Sequence, residues 1–206
     1  QPTPGHKAIS ELVSKGYVRV IVTTNFDRLL EQALSAADIQ PVVVATGDAA
    51  QGAPPLAHSR CTILKTNGDY LDTRLRNTRD ELKEYDAASC RLLTQIFDEY
   101  GLIVCGWSGE WDTALRALLE RCASRRFWAY WASRGDPGET AQRLIAFRGA
   151  SVLRITDAVA FFGELLEKVT ALEDLSAHDP LPARVAVARM KRYLASDAHR
   201  ISLHDL

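Results

Sequence analysis

Short apolar runs punctuate this chain, and polar, turn-forming clusters follow them. Residues 18–23, 41–44, 61–64, 102–106, 127–131 and 151–155 each group aliphatic, β-branched or aromatic side chains between breakers. That is the pattern of strands buried on both faces. Between these runs, apolar positions recur at helical spacing. The pattern predicts a helix over 6–14, with Ile9, Leu12 and Val13 on one face and Gly16 closing it. A second helix runs through Leu29, Leu30, Ala33 and Leu34, with Asn25 or Asp27 as its cap. Helical stretches follow over 79–85, behind a Thr78/Glu81 capping box, and over 87–99, behind Asp86. Asp112 or Thr113 opens a helix through Leu115, Leu118 and Leu119. Asp136-Pro137 opens a short one with proline in its first turn. Asp157 opens one through Phe161, Phe162, Leu165, Leu166 and Val169, and a last helix covers 181–194. With Gly47, Gly52, Pro54 and Pro55, residues 46–59 read as loop, and 69–77 as an irregular flap.

Strand and helix alternate throughout, which predicts an α/β fold: a three-layer, doubly wound, Rossmann-type parallel sheet of about six strands with helices on both faces. The 206 residues suit one domain over 1–175 and a C-terminal helical extension over 176–206. A net charge of −1 supplies no basic field, so nucleic acid and an anionic membrane surface are not expected partners. No apolar run approaches the roughly 20 residues that span a bilayer, and a cytoplasmic location is expected. Cys61, Cys90, Cys105 and Cys122 form no C-x-x-C pair, so no zinc module is expected and buried free thiols are the simpler reading. His6, His178, His199 and His204 show no metal-ligand spacing.

Three of the strands end in motifs of small, hydrogen-bonding residues. The first runs Thr23-Thr24-Asn25-Phe26-Asp27, the second Lys65-Thr66-Asn67-Gly68-Asp69, and the third Gly106-Trp107-Ser108-Gly109-Glu110-Trp111-Asp112. In a parallel sheet the strands' carboxyl ends are where ligands bind.

In this order and placement the motifs resemble the sirtuin-like family, in its bacterial branch of NAD-binding and NAD-hydrolysing proteins. That branch carries TTNFD-, KxHGD- and GWSxxxD-type elements. The stretch Tyr70-Leu71-Asp72-Thr73-Arg74 is also similar, and the likeness runs from about His6 to about Glu173. The resemblance implies recognition of NAD or ADP-ribose and a glycohydrolase ancestry. It also implies a role in bacterial antiviral defence, commonly as a module fused to others; a fused effector module or a homo-oligomer is the partner expectation. Two departures stand out: Asn67 occupies the position of the family's catalytic histidine, and the family's opening Gly-rich phosphate loop has no counterpart. The chain starts at Gln1, so an excerpt of a longer protein is expected.

By resemblance, Asn25 contacts the ribose next to nicotinamide. Its amide offers donor and acceptor, and a helix-capping role is the alternative. Thr24 is expected along the nicotinamide side. Asp27 is expected to shape the loop or cap a helix. Gly68 joins the cofactor-binding set, as do Gly106, which lets a ligand approach the backbone, and Ser108, whose hydroxyl suits phosphate or ribose oxygens. Trp107 and Trp111 offer rings for stacking or for the core. Asp112 reads as a helix cap. Asn67 decides the enzymology, because an amide cannot take a proton as imidazole does. Asp69 is either a substitute base or a partner of Lys65. His58 lies at the wrong end of its strand. Arg74 and Arg76 belong to the flap and reach phosphates or form a solvated face. The readings that follow are an NAD or ADP-ribose site with Asn67 and Asn25 in the catalytic positions, a non-catalytic nucleotide sensor or interaction scaffold, and, third, a deacetylase, against which the missing zinc module counts.

Overall fold

The computed structural model describes residues 1–69 and 85–178, together with Val187. The flap with Arg74 and Arg76, the Thr78/Glu81 box, the helix expected over 79–85 except for its last residue, and the last helix over 181–194 lie outside the described residues. Two compact units are distinguished, residues 1–166 and 167–206.

In chain order the described elements are α1 (Pro4–Ser14), β1 (Val20–Thr23), α2 (Leu29–Ala36), β2 (Val42–Val44) and α3 (Gly47–Gly52). A 3₁₀ turn (Leu56–His58) precedes β3 (Thr62–Lys65), α4 (Ala87–Glu99), β4 (Leu102–Cys105) and α5 (Thr113–Arg121). Then come β5 (Ala129–Ser133), α6 (Glu139–Arg148), β6 (Ser151–Arg154) and α7 (Ala158–His178). The architecture is α/β with parallel strands, as a Rossmann-like fold requires. The described strands pair as two three-stranded sets, β1-β3-β2 and β4-β5-β6. Val20 pairs with Thr62 and Val42 with Thr62 in the first set; Leu102 pairs with Ala129 and Tyr130 with Ser151 in the second.

Successive side chains of a strand point to opposite faces, and β3 shows what covers each. Ile63 packs with Val13, Leu34, Ile39 and Cys61, so α1 and α2 cover one face. Leu64 enters a larger cluster with Val44, Leu93, Phe97, Leu119, Trp131 and Leu144, drawn from α4, α5, α6 and both strand sets. Arg148 ties this core to its helix ends: its buried guanidinium donates to the carbonyl oxygens of Phe97, Cys122 and Ser124 at 3.1–3.2 Å. Burial pushes the Cys61 thiol up to about 11 and raises Cys105 as well, so both are poor nucleophiles near neutral pH.

Several expectations shift. Residues 46–59 are not loop throughout, since Thr46 Oγ1 accepts from the Ala49 amide and opens α3. The fifth strand begins at Ala129, two residues late, and leaves Trp128 77% exposed. Helix α6 starts at Glu139 behind Gly138, so Pro137 precedes it and is not in its first turn. The first helix, α4, and the Asp157 cap of α7 (Ala160 N to Asp157 Oδ1, 2.8 Å) lie where the pattern puts them.

Asp86 caps α4 with both carboxylate oxygens, accepting from Ser89 N at 2.9 Å and Ser89 Oγ at 2.8 Å. Burial pushes its carboxyl up, but the Ser89 and Ala88 donors outweigh that and hold it below the usual value. A folded-state value below the unfolded one stabilises the fold above the unfolded value of about 3.9, and the gain is lost as pH falls through the folded value. Asp86→Ala is therefore expected to cost about 1 kcal/mol at pH 7. Urea midpoints of variant and wild type should converge as the pH is lowered toward 3; a gap independent of pH would contradict this account.

Candidate functional site

All three motifs leave the carboxyl ends of parallel strands, and side chains of the second hold the other two. Lys65, the last residue of β3, is 2% exposed. Its ammonium donates to the Asp27 carbonyl oxygen at 2.5 Å and to that of Phe26 at 3.4 Å. The same nitrogen meets Glu31 Oε1 of α2 at 2.7 Å and Asp69 Oδ2 at 3.0 Å. Lys65 thus clamps the first motif's loop, the start of α2 and the end of the second motif around one buried cation. Arg28 Nε lies 3.8 Å from both carboxylates, beyond hydrogen-bond reach, and its side chain is 39% exposed.

Asn67, two residues on, is also buried. Its Nδ2 donates to the Thr24 carbonyl oxygen at 3.1 Å and to Asp112 Oδ1 at 3.3 Å. Asp112 Oδ2 accepts from Trp107 Nε1 at 2.9 Å. One asparagine amide therefore joins the loops after β1 and β4. Thr66 adds a backbone bond, N to Thr23 O at 3.0 Å.

The first loop is shaped locally. Asn25 N donates to Thr23 Oγ1 at 3.1 Å, and Asp27 Oδ1 accepts from Leu29 N at 3.0 Å. Arg28 holds the cap position of α2, so the capping expected of Asn25 or Asp27 falls to Asp27, through the first helical amide. The Asn25 side chain is left exposed. Thr24 through Leu29 together with Gln32 line a cleft of about 650 Å³, within the range of small-molecule sites. A second hollow at the same strand ends, beside Thr46 and Thr66, measures about 10 Å³ and holds no more than a water.

The remaining candidates divide. Gly68 is buried with φ +95°, a conformation that favours glycine and turns the chain after Asn67. Gly106 has φ +75°, and a Cβ there would meet nothing within 4 Å, so the space over it is open. Ser108 is exposed and accepts from Glu110 N at 3.2 Å, a local turn. Neither Gly106 nor Ser108 lines the cleft over the first motif. Trp107 is half-buried against Trp131 with centroids 6.0 Å apart, while Trp111 is exposed. Asp69 engages Lys65, and His58 is exposed before β3, at the far end of that strand.

Asp112 differs most from its expected role. It stands at the cap position of α5 yet makes no side-chain cap bond; its carboxylate turns inward to Asn67 and Trp107. Glu31, the clamp partner outside the three motifs, is the residue the sequence did not single out. Lys65 is remote from Glu31 along the chain, as Asn67 is from Asp112, so local pattern signals neither pairing. Among the described residues, no group of three His, Cys, Asp or Glu side chains could hold a metal ion, and no helix is long and apolar enough to cross a membrane.

The family described as SIR2-like domain matches residues 19–152, more than half of the chain and all three motifs. No curated protein matches it.

Proposed function

The chain belongs to the SIR2-like family, and from that premise we propose that it recognises NAD or ADP-ribose at the cleft over Thr24–Leu29. The observation that carries this reading is the Asn67 amide, which draws the loops after β1 and β4 together beside a cleft of about 650 Å³. The residues present fit such a ligand. Asn25 presents an exposed amide that can both donate to and accept from ribose hydroxyls. Arg28 brings a guanidinium to the cleft wall that makes no hydrogen bond among the described residues, which suits a phosphate. Thr24 and Asp27 line the same cleft, and the open space over Gly106 admits close approach of a ligand to the backbone. Gly68 and Ser108 complete the proposed surround, while Trp107, packed on Trp131 with its N–H on Asp112, backs it from the core side rather than touching the ligand.

NAD brings a scissile bond between the ribose anomeric carbon and the nicotinamide ring nitrogen; its hydrolysis consumes water and yields ADP-ribose, nicotinamide and a proton. The ancestral activity proposed is that glycohydrolysis. The setting proposed with it is the bacterial cytoplasm and defence against phage, the domain being fused to an effector or assembled with copies of itself. A second reading, a non-catalytic nucleotide sensor, is favoured by one observation: the family's histidine position holds Asn67, whose amide hydrogens both serve Thr24 and Asp112.

Asn25 supplies the test. Asn25→Ala is expected to weaken ADP-ribose binding about tenfold or more by calorimetry, since a lost ligand hydrogen bond with an unsatisfied partner costs about 1–3 kcal/mol. The side chain is exposed, so the melting temperature should hold. Unchanged affinity would remove Asn25 from the site.

A further inference from the structure

Asp112 is a buried carboxylate, 7% exposed, with no Lys or Arg in ion-pair reach among the described residues. Such a group is costly to bury unless hydrogen bonds compensate. At the first position before α5 it had a cheaper alternative, accepting from the helix's own first amides at the surface. It makes no such bond. Its two oxygens instead take Trp107 Nε1 at 2.9 Å and Asn67 Nδ2 at 3.3 Å.

The consequence falls on Asn67. A side-chain amide can flip by 180° unless its neighbours distinguish nitrogen from oxygen. Here they do: the Asp112 carboxylate and the Thr24 carbonyl only accept, so the nitrogen must face both. That spends both amide hydrogens. Among the described residues the carbonyl oxygen has only the Thr66 hydroxyl in reach, at 3.5 Å, and that hydroxyl lies nearer the Thr23 carbonyl oxygen, at 3.3 Å. We infer that Asp112 is a positioning residue of the nucleotide site, held by the Trp107 N–H, which locks Asn67 so that it meets a ligand only as an acceptor, through Oδ1. The ligand class this selects is one with a hydroxyl to donate at that place, a ribose diol. This inference rests on the nucleotide reading.

Asp112→Asn and Trp107→Phe in the full-length protein separate it from a structural role. Asparagine at 112 keeps the shape, but its one NH₂ must oppose either the Trp107 N–H or the Asn67 NH₂, so Asn67 is driven to flip. Phenylalanine at 107 removes one donor and leaves the Asn67–Asp112 bond in place. ADP-ribose affinity by calorimetry is expected to fall about tenfold or more for Asp112→Asn and less than about threefold for Trp107→Phe, whatever each does to the melting temperature. Affinity in proportion to melting temperature across both variants would make Asp112 structural only and overturn the inference. Wild-type affinity in Asp112→Asn would overturn it too, with the nucleotide reading intact. Absence of ADP-ribose binding by the wild type would bring down the nucleotide reading and this inference with it. The wild type alone supplies a second readout, needing no variant: the Asn67 side-chain ¹⁵NH₂ protons should exchange with solvent far more slowly than those of the exposed Asn25. Rapid exchange there would show the amide unlocked and the inference wrong.

Discussion

Nicotinamide release from NAD by the full-length protein is expected to rise about 10²-fold or more when Asn67 is replaced by histidine. The size follows from general acid–base catalysis, which typically contributes 10²–10⁴-fold. Imidazole titrates near neutral pH and can take a ribose hydroxyl proton, whereas an amide cannot. The surroundings favour the exchange. Asp112 Oδ1, which now accepts from Asn67 Nδ2 at 3.3 Å, would accept a ring N–H, fix the tautomer and raise the basicity of the other nitrogen. Gly68, with φ +95°, keeps the turn after position 67 independent of that side chain. The assay is nicotinamide formation at saturating NAD, alongside a melting curve and NAD binding for each protein. No rise, with fold and binding intact, would mean that position 67 alone does not limit catalysis.

Lys65→Met is expected to be the most damaging single change to the fold around the site. Lys65 Nζ lies 2.7 Å from Glu31 Oε1 and 3.0 Å from Asp69 Oδ2, with its own side chain 1% exposed. Among the described residues Glu31 Oε2 has no hydrogen-bond partner in its buried position, so the carboxylate depends on that cation. Breaking a buried pair from one side typically costs about 3–5 kcal/mol, because the other charge stays behind uncompensated. For a chain of this size that lowers the melting temperature on the order of 10 °C. The loop loses its anchor as well, since Phe26 and Asp27 present their carbonyl oxygens to the same nitrogen. Replacing Lys65 and Glu31 together by apolar residues should cost less than Lys65→Met alone. An unfolding free energy from urea melts within about 1 kcal/mol of wild type for Lys65→Met would show that the ammonium is not the keystone of these loops.

How far the chain discloses its fold follows from which signals are local. Strands read as apolar runs, and β1, β3, β4 and β6 stand within a residue or two of where those runs lie, although only β3 is buried throughout and β6, expected to be buried on both faces, is largely exposed. Their motifs fall at the carboxyl ends for the same reason. The register of β5 is different: Phe127 and Trp128 have strand propensity as good as that of Trp131, and only tertiary burial separates the 77% exposed Trp128 from the 4% exposed Trp131. Helix α3 hid behind Gly47, Gly52 and the prolines after it, although Thr46 at its cap was a legible start signal. In the site, the pairing of Lys65 with Asp69 was open to reading because four residues separate them. The inward turn of Asp112 was not: of its two donors Trp107 is near in sequence, but Asn67 is 45 residues away. An aspartate before a helix looks the same whether it caps or serves something else.

The central claim is that the loops after β1, β3 and β4 form one nucleotide site. Calorimetric titration of the full-length wild-type protein with ADP-ribose tests it most directly. The account predicts saturable one-to-one binding that Asn25→Ala weakens. No heat and no saturation at millimolar ADP-ribose, from protein shown to be folded, would contradict it.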